Sequence, residues 1–146
     1  MNFWHYGARL AAAGMPEVLG MKEILATLGI GDEMPLVGWV FGERWAQANP
    51  AAVAGFLRAS TAAKALLRES DAAWEALRPS MRVDDEASFA ALREGFRAGI
   101  PKGAGEEGER AAARAFAILA AEGGEALVGR ARELAPGTFW HGGGGR

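Results

Sequence analysis

The segment PLVGWVF, residues 35–41, constrains the fold more than any other part of this sequence. Leu36, Val37, Val40 and Phe41 form an apolar run with β-branched members that follows a proline and contains no charge, a pattern that predicts a buried β-strand. Gly38 inside it points to a bend or a close backbone approach. Such a strand needs partners on both edges, because unpaired backbone donors and acceptors in a core are costly. The rest of the chain offers few. Either the segment pairs with an identical copy, or the remaining sheet belongs to an N-terminal portion outside this chain.

The other candidate strand is the opening Phe3 and Trp4, before an alanine-rich run that reads as a short helix ending near Gly14. Met21, Ile24, Leu25 and Leu28 recur at helical spacing, with Gly29 and Gly31 closing the turn. Downstream the chain reads as helix after helix. Asn49 stands at an N-cap position and Pro50 at the first helical position, followed by an apolar stripe of Val53, Phe56 and Leu57 up to about Leu67. A shorter helix is capped by Ser70 and stopped by Pro79. Another starts at Asp84 or Asp85 and carries Phe89, Leu92 and Phe96. After the polar loop KGAGEEGE, a helix from about Glu109 to Glu122 turns Ala112, Phe116 and Leu119 inward, and Gly123 and Gly124 close it. A last, less regular helix precedes PGTFWHGGGGR, which reads as extended and then disordered.

A chain of 146 residues, half of them hydrophobic, is long enough to bury a core. No apolar run reaches the roughly 20 residues needed to span a bilayer. The formal charge of −2 argues against the basic footprint of a nucleic-acid binder. With no cysteine, disulfides, thiolate metal sites and cysteine nucleophiles are excluded. The first thirty residues lack the order of a secretory leader, which implies cytoplasm for an intact chain but not for a truncated one.

Few groups offer chemistry. His5 and His141 are far apart in the chain with no metal-ligand spacing around either. Asp84, Asp85 and Glu86 read as complements to a helix dipole rather than as an acid/base site. Gly103 to Gly108 match GxGxxG, but no strand precedes them, so they read as a loop. Ser60 and Ser80 have no GxSxG context. No catalytic residue, metal or cofactor is expected. The aromatic side chains are more promising: Trp4, His5 and Tyr6 at an expected strand-to-helix junction, and Trp39 on the strand, could sandwich a flat ligand or donate to an anion.

Three stretches, NFWHYGARLAAAGM, PLVGWVFGERWAQANPAAVAGFLRASTAAKALL and GEALVGRARELAPGTFW, together resemble the second half of ABC-transporter substrate-binding proteins of the nitrate/sulfonate/taurine and thiamine-pyrimidine-precursor type. The motif positions are Trp45, Asn49, Pro50, Val53, Phe56, Leu57 and Ala59. The resemblance implies an α/β, partial periplasmic-binding-protein-like (type II) fold, mostly helical in this chain with a few short strands. Residues 1–36 would be the tail of the second, ligand-cleft lobe, residues 37–140 the returning segment of the first lobe, and residues 141–146 a disordered tail. It also implies a periplasmic parent protein, truncated here, that captures a small molecule and delivers it to a membrane permease. Trp4, His5, Tyr6 and Trp39 would then face the ligand, with Gly38 in the hinge. Many members carry an acidic residue and a proline where His5 and Tyr6 stand, a departure that favours an anionic or heteroaromatic ligand over a cation. The rival reading is a self-associating helical module without ligand transport. An enzyme of thiamine-pyrimidine synthesis is weaker, since it would need reactive histidines and cysteines that this chain lacks.

Overall fold

The computed structural model describes residues 3–31, 34–101 and 105–142. Among these residues there are seven helices and no strand: α1 (Trp4–Ala12), α2 (Met21–Thr27), α3 (Glu43–Ala48), α4 (Pro50–Glu69), α5 (Asp71–Met81), α6 (Glu86–Gly99) and α7 (Glu106–Val128). The expected α/β, periplasmic-binding-protein-like fold is overturned by this all-helical architecture without a sheet.

Both strand expectations fail for identifiable reasons. Residues 36–41 are irregular, with a bend at 36–37. A ladder needs a second segment, and no other stretch of the described residues is a strand. Val37 and Val40 are consequently 91% and 96% exposed. At the opening, the alanine-rich continuation favours helix over strand. The Phe3 carbonyl accepts from the N–H groups of Tyr6 (3.0 Å) and Gly7 (3.1 Å), so Trp4 already lies in the first turn of α1.

The chain forms two compact units, each assembled from two separate stretches. The first takes the residues up to Val18 together with Ala51–Ile100. Its core is Trp74, Val83, Phe89 and Leu92, with Ala8, Leu67, Met81 and Phe96 packed around it. Phe89 is fully buried, and the Arg78 guanidinium lies 4.4 Å from its ring centroid. The expected stripe of α6, Phe89, Leu92 and Phe96, thus faces this core. The α6 N-terminus is capped by Asp85, whose side chain accepts from the Ser88 N–H at 2.7 Å. Ser70 caps α5 likewise, accepting from the Ala73 N–H at 3.1 Å. Pro79 does not stop α5; the helix runs two residues further and ends at Arg82 in the left-handed region (φ 51°).

The second unit takes Leu19–Pro50 and the chain from Pro101 onward. Leu25, Ile30, Ala111 and Ala115 form its core, flanked by Met34 and Ile118. Here the expected face of α7 is rotated by about one residue. Ala111 and Ala115 are buried, Ala112 and Phe116 only half-buried, and Leu119 is exposed. Small side chains are selected because α7 lies close against Leu25 and Ile30. The helix begins at Glu106, earlier than expected, and continues past the glycine pair with a kink at Gly124 (φ 55°, ψ −156°).

Two left-handed glycines close α1 and α2 in the same way. Gly14 (φ 82°) donates to the Ala11 carbonyl and Met15 to that of Leu10, while Gly29 (φ 63°) donates to Ala26 and Ile30 to Leu25. Each pair of bonds is the Schellman arrangement, which satisfies the last carbonyls of a helix. At the end of α2 it also turns Ile30 back onto Leu25, so this cap and the core of the second unit are built by the same residues.

Candidate functional site

The aromatic residues singled out at the opening cluster around His5 at the start of α1. Phe3 is 74% exposed, Trp4 55% and Tyr6 52%, with His5 half-buried among them. The His5 ring lies 4.3 Å from the Tyr6 ring, 5.9 Å edge-on to Trp4 and 6.0 Å from Phe3, nearly parallel to the last. Trp4 is the anchor. A Cβ added at Gly95 of α6 would lie 3.5 Å from the Trp4 indole, and the Trp4 ring meets Phe96 at 6.3 Å. Phe96 in turn meets Trp74 edge-on at 5.4 Å. One side of Trp4 is therefore held by the core, while Phe3 and Tyr6 are exposed and His5 is half-buried among them. These groups offer stacking and hydrogen bonding, and no nucleophile paired with a base.

Trp39 and Gly38 lie in the irregular segment of the second unit. Trp39 is 59% exposed. A Cβ at Gly38 would meet nothing within 4 Å, and its φ is not in the left-handed region. Trp4, His5 and Tyr6 belong to one unit and Trp39 to the other.

A second feature, which the sequence did not single out, lies within the second unit. Residues 134–141 run beside the first half of α7 and leave an open concavity of about 420 Å³. Leu134, Ala113 and Phe139 supply its apolar wall. Its polar side chains already have partners: His141 Nε2 lies 3.4 Å from Glu109, and Arg110 lies 3.2 Å from Glu106. Trp140 beside it packs edge-on against Phe41 at 5.5 Å. The signal for this fold-back was the run of three successive rings, Phe139, Trp140 and His141, in a stretch read as extended and then disordered. The disorder expected of 141–146 concerns, from residue 143 onward, positions outside the described residues, and so do Gly103 and Ala104 of the GxGxxG match; the rest of that match, expected as loop, is the N-cap Gly105 and the first turn of α7.

The strongest polar cluster is structural. Arg97 of α6 donates to Asp71 at 2.7 Å and to the Leu67 carbonyl at 3.1 Å. The same carbonyl accepts from the Trp74 indole N–H at 2.6 Å. The hydrogen bond from Arg97 holds the Asp71 carboxyl below its ordinary value, with the charge of Arg93 adding to it. The Ser88 N–H does the same for Asp85.

Comparison with known proteins returns no match to a family model, a curated protein or a solved structure. Among the described residues no three His, Asp or Glu side chains converge where they could hold a metal. No described helix is long and apolar enough to cross a membrane.

Proposed function

We propose that this chain serves in solute capture for an ABC importer, binding a small anionic or flat heteroaromatic molecule on the face of Phe3, Trp4, His5 and Tyr6 and passing it to a membrane permease. The proposal concerns the role and not the architecture of the family it resembles. Its basis in the sequence is the resemblance through Trp45, Asn49, Pro50, Val53, Phe56, Leu57 and Ala59. The observation that carries it is the aromatic cluster itself: four rings at consecutive positions, with Trp4 fixed on α6 and Tyr6 and Phe3 open to solvent. Stacking on one such ring contributes about 1 kcal/mol, and a hydrogen bond to a charged ligand group about 1.5–3 kcal/mol. Together these correspond to a modest affinity before ordering costs are subtracted.

Titration calorimetry of the chain with nitrate, taurine and 4-aminopyrimidine tests this. Saturable binding of at least one is expected, weakened about tenfold by Tyr6→Ala, a loss of ~1.4 kcal/mol. Tyr6 is chosen because its ring contact is with His5 on the same turn, so helix content by circular dichroism should not change. The proposal is wrong if none of the three binds, or if binding is indifferent to Tyr6→Ala.

A further inference from the structure

The concavity between α7 and residues 134–141 carries an uneven set of charges. Its lining holds two carboxylates, Glu106 and Glu109, and one guanidinium, Arg110. Arg110 pairs with Glu106. The partner of Glu109 is His141, which brings a positive charge only when it is protonated. With the imidazole neutral, the lining keeps one negative charge that no cation among its residues balances. That charge is also the least hydrated of the set: the Glu109 side chain is 31% exposed, against 69% for Arg110 and 89% for Glu106.

We propose that this concavity binds a small organic cation, a primary ammonium on an aromatic apolar body. An ammonium has three donors and a carboxylate has several acceptor sites, of which His141 faces one. The ammonium therefore pairs with Glu109 while the apolar body lies along Leu134, Ala113 and Phe139. An anion of the same shape would meet two carboxylates, and an uncharged ligand would take water from Glu109 and return no donor. The wall is formed before any ligand arrives. Pro136 and Gly137 (φ 81°) occupy the two central positions of a type II turn, closed by the Thr138 N–H on the Ala135 carbonyl at 3.1 Å. The Thr138 hydroxyl donates to the same carbonyl at 2.6 Å. Beyond the turn, the Trp140 ring packs on Phe41. The volume of about 420 Å³ lies within the range of small-molecule sites. Because the site is open, the dissociation constant is on the order of 1 mM. This site belongs to the second unit and is independent of the aromatic cluster on α1.

Titration of the full chain with phenethylammonium tests this, followed by two-dimensional amide NMR at about pH 8, where an imidazole is ordinarily neutral. Saturable shifts are expected at residues 109–113 and 134–141. Phenylacetate, with the same ring and the opposite charge, and ethylammonium, without the ring, should each bind at least fivefold more weakly. Glu109→Gln keeps the shape of the side chain and removes its charge, so it should weaken phenethylammonium at least fivefold with helix content unchanged by circular dichroism. The two control ligands act on the unmodified chain, so the test does not depend on how any variant folds. Four results each overturn the proposal: no saturable shift, shifts confined to residues 3–6, phenylacetate or ethylammonium binding as tightly, or affinity indifferent to Glu109→Gln.

Discussion

The Leu67 carbonyl near the end of α4 accepts from both the Trp74 indole and the Arg97 guanidinium, and removing these donors singly and together tests how the first unit is held. The N–H that would continue α4 onto this carbonyl belongs to residue 71, which already starts α5. Side chains therefore replace the helical bond. Trp74→Phe removes one donor, worth about 1 kcal/mol net, and leaves part of the core unfilled, for about 1–2 kcal/mol more. Arg97→Met keeps an apolar stem but loses the bonds to Leu67 and Asp71, about 1–2 kcal/mol for a side chain that is 20% exposed. Either variant leaves the carbonyl one donor. The double variant leaves none, so it should be destabilised by about 1 kcal/mol beyond the sum of the two. Urea unfolding followed by circular dichroism, compared at constant m, measures all four proteins. Strict additivity would show that the shared carbonyl does not couple the two side chains.

Two further outcomes are expected. Asp71 and Asp85 have folded values below their ordinary 3.8, so the stability they contribute is fully present above that pH and is lost as pH falls through the lowered folded values. Asp71→Asn should flatten the acid limb of a stability-pH curve, and an unchanged limb would assign it to other carboxylates. Gly29→Ala should cost about 1 kcal/mol, because an L side chain at φ 63° is strained and its Cβ would meet Arg114 Nη2 at 2.9 Å. Gly38→Ala should be near neutral in a thermal melt, and equal losses at the two positions would contradict the backbone argument.

What could be read from sequence was the local chemistry. Asp85, Ser70, Gly14 and Gly29 act within one turn, so their capping roles do not depend on distant segments. The α6 stripe was legible because a single helix face met a single core. The strand at 36–41 was misread because its apolar run describes a segment that needs a partner without saying whether one exists. In α7 the expected large residues gave way to Ala111 and Ala115, since the distance between packed helices is a tertiary property. Asn49 shows the same limit. Its side chain donates to the Trp45 carbonyl at 2.9 Å, closing α3, a short helix that sequence periodicity did not reveal. At the candidate site the clustering of Trp4, His5 and Tyr6 follows from their adjacency. The seat of Trp4 on Gly95 lies across ninety positions of sequence and had no local signal.

The chain leaves the first unit after Val18 and re-enters it at Ala51, so the 19–50 stretch is a long excursion between two parts of one core. Lengthening such a loop adds little to the cost of closing it, roughly 0.6 kcal/mol per doubling. Its larger effect is kinetic. The seat for Trp4 on α6 exists only after a distant part of the chain has been made and folded, so α1 must wait for its site, and docking is slower than any helix formation nearby. Cleavage between residues 36 and 40 severs the only covalent tether between α1 and the rest of the first unit. A nicked chain should therefore keep α1 in place by packing alone and release it reversibly in mild urea, whereas the intact chain holds it at high effective concentration. Loss of the Trp4 contact at equal urea in both forms would show that the tether contributes nothing.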